Sequence, residues 1–492
     1  MSVSDITASE RMIPVAGATR FEEILLREAE GSQLAQALVD ASRATRASVG
    51  AESPKAAVIR DVGAGVVAPI LASYLLWVLL GARARGIARL YFIAREGQPM
   101  LGLARQLAAR LGLPIECRYL YGSRLSWLTS ATPPLGPSSD KWLMEDVWHR
   151  FRPGRMTFET LLGKIGMLPE RIDDIRRFPA LARASRSGTI GEEDRVALSA
   201  LFRDDAFLEV LAVHRREHAA RLRAYLAQEG ALDDLAIGMV DSGWSGSLHR
   251  ALCDLRHEAG AVAPAHCFYF GFRRTVAAYP EWSELRHWYQ FADLAKSGDV
   301  RFRPTGLLEK VMIAYWELLS TADHGTVIRF KAEGSAIVPE CETSYTAAVR
   351  TWGVAKLHEA IERVGAEFPL SGVTLEETLA MRPALKALFE AFWLTPQPDE
   401  ARAWADFPLE LSQGGKGIIV PLAQAYMLGD LMVRWQGGRE ADVRNTYSWL
   451  NGSLALTPAP LRLALRLWFM RKDRFRPTSA GAVMRTTRPA PG

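Results

Sequence analysis

The stretch that decides the fold is Ile237-Gly-Met-Val-Asp-Ser-Gly-Trp-Ser-Gly-Ser-Leu-His-Arg-Ala-Leu252. It reads as a short apolar strand, a turn of glycine and hydroxyl residues, and a helix that begins near Ser247. This pattern places Asp241 at the carboxyl tip of the strand. A helix that starts at such a turn points its free N–H groups into the turn, which favours a bound phosphate. The alternative is an ordinary strand–turn–helix corner with Ser247 as its N-cap.

The side chains of the turn suit a phosphorylated sugar. Asp241 suits a sugar hydroxyl or a water of a magnesium shell. Trp244 is expected either to stack on a sugar ring or to hold the turn against the sheet. His249 is expected to be structural. The candidate phosphate ligands combine hydroxyls with glycine backbone: Ser242, Gly243, Ser245, Gly246 and Ser247.

A second corner of the same kind lies earlier in the chain. Residues 90–94 form an apolar, aromatic-rich run, followed by Arg95-Glu-Gly97 and a helical pattern over residues 97–111. A further strand at residues 115–120 leads to Arg124, so strand, helix and strand occupy the length of a βαβ unit. Ligands of open parallel sheets collect at the carboxyl ends of strands. The two corners therefore predict an α/β fold whose binding residues share one edge of the sheet.

Composition narrows the class of protein. The chain has 492 residues, of which 49% are hydrophobic and 23% charged, as in globular proteins of two or three structural units. Its four cysteines are widely spaced, which argues against a disulfide framework or zinc site and fits a reducing cytoplasm. A formal net charge of +5 without a recognition motif argues against nucleic-acid binding. Residues 1–23 contain no apolar core of a secretory signal.

One apolar segment tests this view. Residues 62–81 carry no charge and are followed by Arg83 and Arg85, so length and flanking charge would suit a membrane span. Gly63, Gly65 and Pro69 dilute the run, and a short link joins it to the strand at residue 90. The sequence therefore favours a buried helix packed against the sheet.

The pattern along the chain predicts four regions. Residues 1–55 form an N-terminal helical segment, with a helical pattern over residues 21–44. Residues 56–275 form the α/β domain, interrupted by a helical insertion at about 138–232 that covers the strand ends. Residues 276–476 are mostly helical, with strands near 326–330 and 336–339, and residues 477–492 are a disordered tail.

Arginines alternate with large apolar residues over residues 461–476. Such a helix either docks on the protein with a solvated basic face or contacts anionic lipid at a membrane surface. We therefore expect a cytoplasmic protein, with contact at the inner face of the membrane as the open alternative.

The two corners together resemble the type I phosphoribosyltransferase fold, in which an early loop binds pyrophosphate and a later loop holds the 5-phosphate of phosphoribosyl pyrophosphate (PRPP). This chain differs in having Asp241-Ser242 where that fold has an acidic pair, and in a phosphate loop about two residues shorter.

A closer resemblance, over about residues 56–450, is to a bacterial group labelled predicted HAD-superfamily hydrolases, found with surface-polysaccharide genes. The similar segments are Phe92-Ile-Ala-Arg-Glu-Gly97, Tyr119-Leu-Tyr-Gly-Ser-Arg124, Asp241-Ser-Gly-Trp-Ser-Gly-Ser247 and Trp316-Glu-Leu-Leu-Ser-Thr-Ala-Asp-His-Gly-Thr-Val327. The resemblance implies a PRPP-dependent ribofuranosyltransferase of polysaccharide biosynthesis. The HAD nucleophile motif Asp-Xaa-Asp is not found near the N-terminus, so a separate phosphatase is the expected partner.

This resemblance implies roles for particular residues. The loop from Gly243 would grip the 5-phosphate, Arg95 and Arg124 would face pyrophosphate with Gly97 shaping the loop, and Mg²⁺ would accompany the pyrophosphate. Asp241 would hold ribose hydroxyls or a magnesium-bound water, and Glu96 or Asp241 would be the base for a sugar or glycan hydroxyl. His324 is either an acid or base completing the cleft, or a histidine that caps its loop.

Two other functions stay open. The single carboxylate at Asp241 fits a non-catalytic sensor of phosphoribosyl compounds or nucleotides. The label of the resembling group suggests a hydrolase, which the missing HAD motif disfavours.

Overall fold

A parallel five-stranded sheet lies at the centre of the protein, in strand order β2-β1-β5-β6-β7. The computed structural model describes residues 17–131, 156–190, 192–201, 203–244, 246–272, 285–290, 315–369, 372–410, 419–430 and 448–473. The strands are β1 Arg89–Ile93, β2 Glu116–Leu120, β3 Met156–Thr157, β4 Thr189–Ile190, β5 Ile237–Trp244, β6 Ala265–Phe272, β7 Leu285–Gln290, β8 Val327–Glu333, β9 Ala336–Cys341, β10 Pro408–Glu410 and β11 Ile419–Pro421. Helices surround this sheet, and the α/β class predicted from the sequence is confirmed.

The helices occupy most of the remaining described chain. They are α1 Arg20–Glu28, α2 Gln33–Ser48, α3 Pro54–Val62, α4 Ala68–Arg83, α5 Gly97–Arg110, α6 Arg124–Ala131, α7 Phe158–Ile165, α8 Ile172–Arg176, α9 Pro179–Ser187, α10 Glu192–Leu201, α11 Asp205–Gln228, α12 Ser247–Glu258, α13 Thr343–Trp352, α14 Val354–Glu367, α15 Leu375–Ala380, α16 Arg382–Leu394, α17 Pro398–Ala405, α18 Leu450–Leu456 and α19 Ala459–Asp473. A π-helical turn, Gly63–Val67, joins α3 to α4. Residues 315–319 are also helical.

The register of the sheet brings the two predicted corners together. Strand β1 lies between β2 and β5, and Phe92 is opposite Val240 in the last pair of β1 with β5. Because the three strands are parallel, the segments that follow them leave from the same edge. The βαβ unit β1–α5–β2 is confirmed, and Asp241 lies one residue beyond the last pair with β1.

Strand β5 is longer than the sequence pattern predicts. Its pairing with β6 continues past Asp241, with Gly243 opposite Gly271 and Trp244 opposite Phe272. The prediction that Asp241 ends the strand is therefore wrong on the side of β5 that pairs with β6. The polar residues after Asp241 break the apolar run, but backbone bonds to β6 sustain the strand independently of side-chain hydropathy. On the β1 side, Asp241 still faces the end of the neighbouring strand.

The apolar segment at residues 62–81 is a buried helix, as expected. Helix Pro54–Arg83 is long and apolar enough to cross a membrane, yet its most apolar 18-residue window lies entirely inside the protein. Tyr74 on this helix donates its hydroxyl hydrogen to the carbonyl oxygen of Phe268 at 2.8 Å. The helix thus packs on the sheet and is tied directly to β6.

One large apolar core spans the N-terminal, central and C-terminal helices. It joins Phe21 of α1, Leu76 of α4, Leu357 of α14 and Trp404 of α17 to the sheet residue Phe92. The helical pattern predicted for residues 21–44 is present as α1 and α2, and α3 begins at Pro54. The described core runs across the predicted boundary at residue 55, whereas the boundary at residue 276 lies outside the described residues.

The predicted helical insertion contains its own smaller core. Apolar side chains of helices α7 to α10 and of the first half of α11 form this core, from Phe158 to Leu211. The second half of α11 supplies Leu222 and Tyr225 to the core on one face of the sheet. The long helix α11 therefore links the insertion to the sheet. Residues 138–155 of the predicted insertion lie outside the described residues.

The chain beyond residue 275 contains more strands than the sequence predicts. The strands expected near 326–330 and 336–339 are confirmed as the antiparallel hairpin β8–β9. Strand β7 and the short pair β10–β11 were instead predicted to be helical or irregular. Strand β7 lies at the edge of the sheet, and its residues Leu-Arg-His-Trp-Tyr-Gln show no clear alternation of apolar and polar positions.

The basic C-terminal pattern forms helix α19, and it docks by one face. Leu465 is buried against Tyr426 and Leu454, whereas Leu463 and Leu467 are exposed. The docked alternative is therefore observed for one face, and lipid contact through the other face stays a prediction. The predicted tail at residues 477–492 lies outside the described residues.

Candidate active site

The loop after β1 forms the first wall of the candidate site. The Ala94–Arg95 peptide bond is cis, Glu96 is the N-cap residue of α5, and Gly97 begins that helix. A Cβ atom on Gly97 would lie 2.6 Å from the carbonyl carbon of Phe92. Because that neighbour is backbone, only glycine lets the helix start so close to the strand. Gly97 thereby fixes where Arg95 and Glu96 are presented.

The loop after β5 forms the second wall. Helix α12 begins at Ser247, and its N-cap residue is Gly246, whose positive φ of 78° favours glycine. No side chain caps this helix among the described residues, so its first N–H groups are left to solvent or a ligand. Ser242 is buried, and its hydroxyl has no hydrogen-bond partner within the described residues. Ser245 and the side chain of Trp244 lie outside the described part.

Asp241 lies between the two loops in a setting that disfavours its charge. Its Oδ1 accepts a hydrogen bond of 3.4 Å from the backbone N–H of Gly243. Burial, followed by the negative charge of Glu96, raises the pKa of the Asp241 carboxyl to about 7. A carboxyl with a pKa near neutrality exchanges protons readily at physiological pH.

Arg95 is held in a partly buried pocket of the first loop. Its Nη1 lies 3.6 Å from Oε2 of Glu410, and its guanidinium carbon lies 5.0 Å from the ring centroid of Tyr345. Burial opposes the charge, but Tyr345, Glu96, Glu410 and Glu317 together raise the pKa of Arg95 above its ordinary value. Arg95 therefore stays cationic within a group of acidic residues, and an arginine suits bidentate contact with phosphate.

A reciprocal pair of hydrogen bonds attaches the Asp323-His324-Gly325 loop to the first wall. The side-chain NH₂ of Gln98 donates to Oδ1 of Asp323 at 2.7 Å, and the backbone N–H of Asp323 donates to the side-chain oxygen Oε1 of Gln98 at 2.7 Å. Arg350 donates to the carbonyl and carboxylate of Asp323 at 2.9 and 3.1 Å. The segment predicted to complete the cleft therefore lies beside the first loop.

His324 is buried, and both its ring nitrogens have protein partners. Nδ1 donates to the carbonyl oxygen of Gly325 at 2.8 Å, so Nε2 accepts from the Tyr119 hydroxyl at 2.8 Å. Burial lowers the pKa of His324, which keeps the ring neutral. Its role as an acid or base stays a prediction, and that role requires one of these hydrogen bonds to break.

The other two predicted residues, Arg124 and His249, lie in different surroundings. Arg124 is exposed at the start of α6, directly after β2. His249 is buried and bonds the carbonyl oxygen of Ala265 at 2.9 Å, consistent with the structural role expected for it.

Three residues of the site were missed from the sequence. Glu317 affects the electrostatics of both Arg95 and Asp241, and Tyr345 and Glu410 contact Arg95. Glu317 lies within the segment 316–327 that carries the family resemblance, so the sequence could have indicated it as a site residue. Tyr345 and Glu410 lie in a helix and a short strand without local motif, and only tertiary packing brings them here.

The carboxylates of the site bear on metal binding. Among the described residues, no three His, Cys, Asp or Glu side chains converge closely enough to ligate a metal ion. Three carboxyl groups, those of Glu96, Glu317 and Glu410, nevertheless act electrostatically on Arg95 or Asp241. A polyphosphate entering this cleft would meet more acidic than basic groups and would need a divalent cation of its own. This setting fits Mg²⁺ that arrives on the ligand.

No model of a known protein family matches this chain, and no curated protein sequence is significantly similar to it. The function is therefore inferred from the site itself and from its sequence motifs.

Proposed function

We propose that the protein is a PRPP-dependent phosphoribosyltransferase, which moves 5-phosphoribose to a hydroxyl of a sugar or glycan and releases pyrophosphate. The observation that carries this proposal is the position of Asp241 next to the loop of Arg95 and Glu96. These groups leave adjacent parallel strands at the same edge of the sheet. A phosphate-type turn, a ribose-type carboxylate and the loop of a pyrophosphate-type arginine thus leave the sheet at one edge.

The roles of the residues follow from their positions. The backbone N–H groups from Gly243 to the start of α12 bind the 5-phosphate, helped by the positive end of the helix dipole. Asp241 binds the ribose hydroxyls, which lie between the two loops. Arg95 binds the pyrophosphate, and Arg124 approaches it from the end of β2. Catalysis of this kind depends on positioning and on charge stabilisation more than on covalent chemistry.

Magnesium fits this scheme as a companion of the donor. When bound, Mg²⁺ neutralises charge that develops on the leaving pyrophosphate. Asp241 would contact the ion through water, since among the described residues no three acidic, histidine or cysteine side chains converge to ligate an ion directly.

The acceptor hydroxyl loses a proton as the new glycosidic bond forms. Asp241 is suited to take this proton because its pKa is about 7, and Glu96 is the second candidate because its charge acts directly on Asp241. The product keeps its 5-phosphate, and a separate phosphatase would remove it. The acceptor class, a sugar or glycan in polysaccharide or glycoside assembly, comes from the family resemblance.

A sensor of phosphoribosyl compounds is the second candidate. It is favoured by the single carboxylate at Asp241 and by His324, whose ring nitrogens both have protein partners. Calorimetric titration with PRPP and magnesium tests the donor site for both functions. Saturable binding, with pyrophosphate released once a sugar or glycan acceptor is added, supports the transferase, whereas binding without release under the same conditions, unaffected by Glu96→Gln, supports the sensor. Absence of binding would refute both.

A further inference from the structure

The contact between Glu410 and Arg95 is an incomplete ion pair. Glu410 ends the short strand β10, and its side chain is only 5% exposed. The 3.6 Å between its Oε2 and Nη1 of Arg95 exceeds hydrogen-bond length. Within the described residues, neither Oε1 of Glu410 nor Nη1 of Arg95 has a hydrogen-bond partner. Buried polar groups are normally hydrogen-bonded, so this pair leaves bonding capacity for a ligand.

The groups around the pair hold Arg95 in place without satisfying it. The guanidinium lies over the ring of Tyr345, whose hydroxyl shares a hydrogen bond of 2.8 Å with Thr321. A cation over an aromatic ring keeps its N–H groups available at the edges. Arg95 is therefore oriented by Tyr345 while Nη1 points toward Glu410.

Within the described part of the chain, the charged and titratable groups that face Glu410 are Arg95, Glu342 and Tyr345. Glu342 is committed to capping α13, because it accepts hydrogen bonds from the N–H groups of Ser344 and Tyr345 at 2.7 and 2.6 Å. Burial raises the pKa of Glu410, Arg95 lowers it and Glu342 raises it, with a net value of about 7. Glu410 can therefore exist with or without its proton near neutral pH.

We propose that Glu410 is an internal counter-ion of the anion site: a phosphate or pyrophosphate group replaces it at Arg95, and Glu410 takes up a proton from solvent as this happens. The protonated carboxyl then donates a hydrogen bond to the bound anion instead of repelling it. No covalent bond changes in this step. The inference deepens the proposed function and rests on it, since the anion is the pyrophosphate end of the donor.

Two consequences follow for binding. Ionised Glu410 competes with the ligand for Arg95, so only the protonated fraction of the protein is ready to bind. The apparent dissociation constant then equals the intrinsic dissociation constant divided by that fraction. From a pKa of about 7, the competent fraction is about nine-tenths at pH 6 and about one-tenth at pH 8. Removing the charge of Glu410 should strengthen binding, and more so at high pH.

The test is calorimetric titration with inorganic pyrophosphate and magnesium on the full chain, comparing wild type with Glu410→Gln at pH 6 and pH 8. Protonation of pyrophosphate itself cancels in the ratio of the two proteins at each pH. We expect Glu410→Gln to bind about tenfold more tightly than wild type at pH 8 and about equally at pH 6. A ratio that does not change with pH, weaker binding by the variant, or no binding by either protein would overturn the inference.

Controls separate this effect from general charge and folding effects. Glu340→Gln removes a glutamate that pairs with Arg329 at 2.9 Å on the β8–β9 hairpin, and it should not alter the ratio. If Glu410→Gln does not fold, Glu410→Asp withdraws the carboxylate from Arg95 and should tighten binding at pH 8 by less than tenfold; unchanged binding refutes the inference. If wild type does not bind PRPP but the ratio of pyrophosphate affinities changes with pH as expected, the proposed function alone is refuted. Normal PRPP binding with an unchanged ratio would refute only the role of Glu410.

Discussion

Replacing Asp241 by asparagine should stabilise the protein while it removes a proposed ligand of the donor. The folded protein raises the pKa of this carboxyl from 3.8 to about 7, chiefly through burial and then through Glu96. The folded state therefore holds a proton that the unfolded chain releases as pH rises from about 4. Stability falls through this window up to about pH 7, and the full penalty is present above it. Asparagine does not ionise, so it escapes the penalty.

The size of the gain follows from the shift in pKa. About three pKa units at about 1.4 kcal/mol each give an upper limit of about 4 kcal/mol. The side chain of Asp241 is partly accessible to solvent, which screens the effect, so we expect about half of this limit, or about 2 kcal/mol, at pH 8. At pH 5 the gain should be smaller by about 1 kcal/mol, because the wild-type penalty is only partly developed there.

Urea unfolding of wild type and Asp241→Asn, followed by tryptophan fluorescence at pH 5 and pH 8, measures this difference. Asp254→Asn is the matched control, since Asp254 is exposed on α12 and pairs with Arg250 at 2.9 Å. The control should change stability by less than about 0.5 kcal/mol at either pH. A loss of stability in Asp241→Asn at pH 8, or an equal gain at both pH values, would refute the reasoning.

Two further substitutions test how the corners are built. Gly97→Ala should cost about 1–3 kcal/mol and weaken PRPP binding, because the new methyl group would meet the backbone of Phe92 at 2.6 Å. The methyl group of Gly102→Ala, on the same helix, would contact only a flexible glutamate side chain, so its effect on stability should be near zero. Thermal unfolding and PRPP titration compare the two variants, and equal effects would contradict this prediction. Arg256→Met should cost at least about 3 kcal/mol, because the buried guanidinium donates to four backbone carbonyls in the segments that precede β5 and β6. Arg250→Met, at an exposed position of the same helix, should change stability by less than about 0.5 kcal/mol, and a similarly small effect of Arg256→Met in urea unfolding would refute its role.

The parts of the fold that were predictable have local patterns. The strand at residues 90–94 is an apolar run, the strand at 115–120 alternates apolar and charged residues, and the uncharged run at 62–81 is long enough for a buried helix. These patterns give the βαβ unit and hence the shared edge of the sheet. The carboxyl ends of parallel strands meet by geometry, so the proximity of the two corners could also be predicted.

The parts that were missed depend on tertiary contacts. Strand β7 exists because β6 offers it a backbone partner, and the extension of β5 past Asp241 has the same cause. Glu410 lies in a three-residue strand far along the chain from Arg95, and its own neighbours in sequence give no sign of a site. The pairing of such distant residues follows from how the C-terminal helices pack on the first loop, which no local pattern encodes.

The PRPP site is tested most directly by calorimetric titration of wild type, Asp241→Asn and Asp254→Asn with PRPP and magnesium at pH 7.5. We expect saturable binding by wild type and Asp254→Asn, and at least about tenfold weaker binding by Asp241→Asn, which corresponds to about 1.4 kcal/mol. A ligand that binds only the folded state also raises its stability, so the midpoint temperature of thermal unfolding should rise wherever PRPP binds. Absence of binding in wild type, or equal affinity in all three proteins, would contradict a PRPP site between the loops that follow β1 and β5.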